Sequence, residues 1–127
     1  MFKDIDEDLK LLIKKFLMEI YSCEIPESVQ VLAEENPAFL KKWFELRNIA
    51  RYEGVLPLKT KHLIWLTAQA LRTNRDGCLV HVKGALEAGA DKKEIMETAL
   101  ILYVTAGGTA GALILDVLKK VLGSFEI

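Results

Sequence analysis

Cys78 and His81 are the residues whose types and spacing first suggest chemistry. They fall in the stretch Asn74 to Ala90, NRDGCLVHVKGALEAGA, in a chain with only two cysteines and two histidines. If that stretch is helical, residues three apart lie roughly 60° apart around the axis. Their Cβ atoms are then about 5–6 Å from each other. An imidazolium beside a thiol stabilises the thiolate, which is how cysteine becomes a nucleophile. The plainer reading is that Cys78 is a small buried hydrophobe, since free cysteine is among the most buried residue types. The other histidine, His62, lies one expected helix earlier. Together with His81 and Cys78 it makes three candidate metal ligands, but at no known ligand spacing. No metal site and no cofactor is therefore assigned.

The elements that position these residues come from composition and periodicity. A chain of 127 residues is expected to form a single domain, 1–127, with a real core. Its net charge of −1 gives no basic excess, so nucleic acid is not an expected partner. One pair of cysteines is not a disulfide framework, which suggests a reducing, cytoplasmic setting. The start, MFKDIDEDLKLL, is acidic and lacks the apolar region of a signal peptide. Thr98 to Leu115 carries no formal charge over 18 residues, close to the length of a membrane span. Its glycines and threonines, and the amphipathic segments around it, favour a buried helix pair broken near Gly107–Gly108. No membrane association is expected.

Read in order, the chain predicts six to seven helices and no strand. Leu9, Leu12, Ile13, Phe16, Leu17 and Ile20 make one apolar stripe over about Asp6 to Ser22. Pro26 opens a second helix through Ala33. Asn36–Pro37 is a cap and restart signal for a third helix to about Tyr52, with Gly54 as its C′ residue. That helix has a broad apolar face of Phe39, Leu40, Trp43, Phe44, Leu46, Ile49 and Ala50. The fourth helix is predicted from Lys59 to Thr73, with Leu63, Leu66, Ala70 and Trp65 inward. The fifth runs from about Asn74 or Arg75 to Ala88 and is closed by Gly89. Asp91-Lys92-Lys93-Glu94 reads as a capping box for a sixth, to Ala106. The seventh runs to about Val121 and is capped by Gly123. The fold class is all-α.

From Leu56 to Val121 the chain resembles the carboxymuconolactone decarboxylase and alkylhydroperoxidase-D-like family. The resemblance is carried by Leu58-Lys59-Thr60-Lys61, by His81-Val82-Lys83-Gly84-Ala85-Leu86-Glu87-Ala88-Gly89-Ala90, by Lys93-Glu94-Ile95 and by Tyr103-Val104-Thr105-Ala106-Gly107-Gly108. Residues 56–121 would be the family core and 1–55 a variable helical lead. The resemblance implies a helical bundle assembled as a homotrimer or homohexamer and acting on a small molecule. The family's redox-active members carry Cys-x-x-Cys-x-x-x-His before the alanine-rich run. With His81 as that histidine, Asn74 and Gly77 occupy the two cysteine positions, and Cys78 follows one residue later. The glutamate those members place on the preceding helix is here His62.

Three functions are compatible with this. The first is a thiol-dependent, alkylhydroperoxidase-like antioxidant peroxidase. Cys78 would be its peroxidatic thiolate, His81 its base or charge partner and His62 a proton relay, and an external thiol would reduce the sulfenate. This reading expects a partly accessible Cys78 with a depressed pKa. The second is a cofactor-free decarboxylase or isomerase of a carboxylated lactone. His81 and His62 would act as acid and base, and Arg72 or Arg75 would hold a carboxylate. The third is a non-catalytic oligomer that binds a small ligand.

Trp43, Phe44, Trp65 and the apolar C-terminal half make more apolar surface than one small domain hides. Light scattering on the purified protein should give a mass several times 14.3 kDa. A monomer at micromolar concentration would contradict an oligomer.

Overall fold

The computed structural model describes residues 5–123. Seven helices and no strand occur among them. The chain divides into two compact units, 1–54 and 55–127.

The first unit holds α1 (Glu7–Glu19), α2 (Glu27–Glu35) and α3 (Pro37–Tyr52). Asp6 starts α1 by accepting from the Leu9 amide at 2.7 Å, and Glu7 and Asp8 complement the helix dipole. Asn36 caps α3 through the Phe39 amide, with Pro37 in the first turn, as the sequence predicts. Leu9, Ile13, Val29, Ala33, Leu40 and Phe44 form the core of this unit. Phe16 packs edge-on against Trp43 and tilted against Phe44. Each large apolar side chain buried here contributes about 1.5–3 kcal/mol relative to exposure.

At the far end of α1, Glu19 is held by Arg47 at 2.6 Å, Arg51 at 2.9 Å and the Tyr52 hydroxyl, which donates to it. Burial alone would raise the Glu19 pKa. The Tyr52 hydrogen bond and the two guanidinium groups outweigh it and hold the carboxyl below its ordinary value. The broad apolar face expected on α3 is only partly buried. Leu40 and Phe44 face the core, whereas Phe39, Leu46 and Ile49 are exposed.

The second unit holds α4 (Leu58–Leu71), α5 (Arg75–Glu87), α6 (Lys92–Ala106) and α7 (Gly108–Leu122). Its principal pairings are α4 on α5 and α6 on α7. The core is continuous across all four helices: Leu66 and Ala70, Cys78, Val82 and Ala85, Ile95, Ala99 and Leu102, and Ile114, Val117 and Leu118. Thr98–Leu115 is a helix pair turned at Gly107, whose φ of +95° suits glycine. Gly111 then lies under the Tyr103 ring, where a Cβ would come within 2.3 Å of it. Among the described residues no helix is long and apolar enough to cross a membrane.

Two helices stop earlier than the sequence pattern suggests. The helices α1 and α4 end at Glu19 and Leu71, not at Ser22 and Thr73. Each closes in a Schellman turn. Ser22 donates to the Leu17 carbonyl and Tyr21 to Met18; Asn74 donates to Gln69 and Thr73 to Ala70. Tyr21 and Thr73 take the left-handed positions, at φ +57° and +53°.

The predicted box at α6 is present in full. Asp91 accepts from the Glu94 amide at 2.8 Å, and Glu94 accepts from the Asp91 amide at 3.1 Å. The backbone bond from Asp91 and the ammonium of Lys59 hold the Glu94 carboxyl below its ordinary pKa. Asp91→Ala should cost about 1 kcal/mol, read as a melting temperature lowered by several degrees in a thermal scan. An unchanged melting curve would show that the cap carries no stability.

Candidate functional site

His62 sits on α4 and is 1% exposed. An imidazole taken out of water needs a hydrogen-bond partner, because leaving it unmade costs about 1–3 kcal/mol. The partner is His81 on α5, with the two Nδ1 atoms 3.1 Å apart. One Nδ1 carries the hydrogen and donates; the other accepts through its lone pair. The bond therefore survives in the neutral pair and in the pair with one added proton. With both rings protonated, each Nδ1 would carry a hydrogen and the bond would be lost.

Trp65, one turn after His62 on α4, completes a triangle of rings. The three centroid separations, His62–Trp65, His62–His81 and Trp65–His81, are each 5.4 Å. Their orientations differ. Trp65 meets His62 nearly edge-to-face at 74°, and lies within 33° of the His81 plane. Both Trp65 and His81 are half-buried, so the triangle has one deep corner and two shallow ones.

The deep corner exists because of Gly84. It follows His81 by one turn on α5 and lies against the His62 ring. A Cβ there would meet His62 Cε1 at 2.3 Å and Nδ1 at 2.6 Å. The ring is buried between α4 and α5. Any side chain at 84 would therefore displace His62 or part α4 from α5.

The pairing of Cys78 with this site does not hold as expected. Cys78 is fully buried and packs in the core with Leu66, Ala70 and Val82. Burial pushes its thiol up to about 11, against a smaller downward pull from Arg75. That is the opposite of the accessible, acidic thiol which a nucleophile requires. The other cysteine, Cys23, is exposed in the first unit.

The positions where related redox proteins keep cysteines are used to start α5. Asn74 accepts from the Gly77 amide at 3.1 Å as the N-cap, and donates to Gln69 Oε1 at 2.9 Å. Of the two arginines considered for substrate binding, Arg72 is the exposed C-cap of α4. Arg75 reaches Asp116 on α7 at 4.0 Å. Among the described residues, no group of three or more His, Cys, Asp or Glu side chains could hold a metal ion. Sequence reasoning named His62 and His81 but not Gly84. The signal for it was a glycine inside a helix at i+3 from a histidine, a place that needs a packing reason.

Comparison with known proteins adds the following. The profile of the carboxymuconolactone decarboxylase family matches residues 37–120. The match takes in α3, which sequence reading left to the variable lead. A crystal structure of a candidate carboxymuconolactone decarboxylase from Burkholderia xenovorans LB400 superposes with a TM-score of 0.75 at 24% identity. The alignment covers 91% of this chain and 92% of that one, and the likeness speaks for the fold. No curated protein matches the chain.

Burial makes a direct prediction about the thiols. A thiol reagent should label Cys23 in the native protein and reach Cys78 only on unfolding, at any pH below about 10. Fast native labelling of Cys78 near neutral pH would restore it as a nucleophile.

Proposed function

The chain belongs to the carboxymuconolactone decarboxylase family, and we propose that within it this protein is a histidine acid–base enzyme. Its proposed reaction is decarboxylation of a small carboxylated lactone without a cofactor. The observation that carries this reading is the 3.1 Å contact between His62 and His81. Two imidazoles held in contact form a proton donor and the partner that orients it. His62 stands where the family's redox members keep a glutamate, so a proton-carrying group is retained there with its chemistry changed.

The step balances with these groups alone. The substrate's carbon–carboxylate bond breaks and carbon dioxide leaves. The electron pair passes into an adjacent carbonyl or unsaturated system. One imidazolium N–H then delivers a proton to carbon, and the half-buried His81 regains it from water. Positioned proton transfer of this kind contributes typically about 10²–10⁴-fold in rate.

The thiol peroxidase reading finds less support. A thiol shifted to about 11 leaves roughly one molecule in ten thousand as thiolate at pH 7. The side chain is also closed off from peroxide.

The test is carbon dioxide release from a carboxymuconolactone. His81→Ala and His62→Gln should lower kcat at least about 100-fold, with circular dichroism confirming the fold. Cys78→Ser should retain turnover to within about threefold. Loss of activity in Cys78→Ser, or full activity in His81→Ala, would overturn the acid–base reading.

A further inference from the structure

We propose that Trp65 is a positioning residue that assigns the pair's added proton to His81 and keeps His62 neutral. The inference rests on the acid–base reading and says which histidine is the acid. Two observations carry it.

First, the two rings differ in burial. His62 is 1% exposed and wedged against Gly84, whereas His81 is half-buried. Charge is disfavoured in the drier position. Second, Trp65 treats the two rings differently. It lies within 33° of the His81 plane at 5.4 Å, inside the range at which a cation is attracted to an indole face. It meets His62 nearly edge-to-face. A consequence is that the 3.1 Å contact acquires a direction: His81 Nδ1–H donates to the His62 Nδ1 lone pair.

The charged and titratable groups around His81 within this unit are compatible with that assignment. From α4 come His62 itself and the buried Lys61. One turn back on α5 is Cys78, uncharged well past neutrality. The faces that α6 and α7 turn to this core are apolar: Ile95, Ala99 and Leu102, and Ile114, Val117 and Leu118.

Trp65 is thus more than packing. By holding the imidazolium it sets which ring delivers a proton to substrate, and it leaves the buried ring as the hydrogen-bond acceptor that orients the acid.

The experiment is nitrogen-15 NMR of histidine-labelled protein titrated across neutral pH, in the wild type, Trp65→Phe and Trp65→Leu. The imidazolium signature should appear on His81 while His62 stays neutral. Trp65→Leu should show a roughly threefold loss of proton affinity at His81, and Trp65→Phe should keep most of it. The proposal is overturned if His62 charges first, or if Trp65→Leu leaves His81's titration unchanged. If Trp65→Leu does not fold, Trp65→Phe and the wild-type assignment still decide it. The readout needs no turnover. The expected titration in a protein that decarboxylates nothing would sink the proposed function alone. Turnover dependent on both histidines, with an unaltered Trp65→Leu titration, would sink this inference alone.

Discussion

A buried imidazole nitrogen has to be satisfied, and the second unit is arranged so that His62 Nδ1 can be. Its partner comes from a different helix, so the 3.1 Å contact fixes α4 against α5 in register and in distance. That distance is available only because position 84 lacks a Cβ. The cost is glycine in a helix interior, about 0.8–1.0 kcal/mol relative to alanine. The return is a hydrogen bond whose loss would strand a polar group in the core. The Trp65 ring adds a third side to the same arrangement. The packing of α4 on α5 and the site geometry therefore share one contact.

The same contact explains why the two chemistries suggested by sequence fare so differently. Cys78 and His81 are one turn apart, and spacing measures how far two residues are separated around a helix. It does not say which of them faces inward. That information lies in the wider stripe. Cys78, Val82 and Ala85 recur at i, i+4 and i+7, which is the apolar face that α5 turns to the core. His81 lies beside that stripe, within reach of α4. The sequence thus contained the evidence that Cys78 is a core residue. The His62–His81 pairing was less legible, because residues 19 apart are brought together by tertiary packing that no local period records.

Helix existence was legible throughout, and helix ends were legible where their chemistry is local. Asn36–Pro37, the Asp91–Glu94 box and the glycines at 54, 89, 107 and 123 all act where their types suggest. The misplaced ends are those at Tyr21 and Thr73. Both residues adopt a left-handed conformation that side chains other than glycine, asparagine or aspartate seldom take. The strain is tolerated because each turn satisfies two carbonyls at its helix terminus. At Thr73 it has a further consequence: the sharp stop delivers Asn74 directly into the N-cap of α5. The α3 face misled in another way. Periodicity identified its apolar residues correctly, but Phe39, Leu46 and Ile49 lie beyond the two positions the core uses.

Asn74 brings these threads together. In the redox members this chain resembles, positions 74 and 77 would carry the dithiol. Here one is a cap whose oxygen takes the amide of the other. An asparagine N-cap is worth about 1 kcal/mol to its helix, and a cysteine cannot make it as well. Gly77 carries no side chain, and a Cβ there would press on Gln69 at 2.7 Å, the same side chain that receives the Asn74 amide hydrogen. Both positions are thus committed to a local hydrogen-bonded structure at the start of α5. The helix start carries a cap and no sulfur at either position. What that start still does is set the rotation of α5 about its own axis, and hence the direction in which His81 points. A cap seven residues upstream therefore belongs to the same mechanical unit as the ring triangle, and the histidine pair is positioned in part by the residues that start α5.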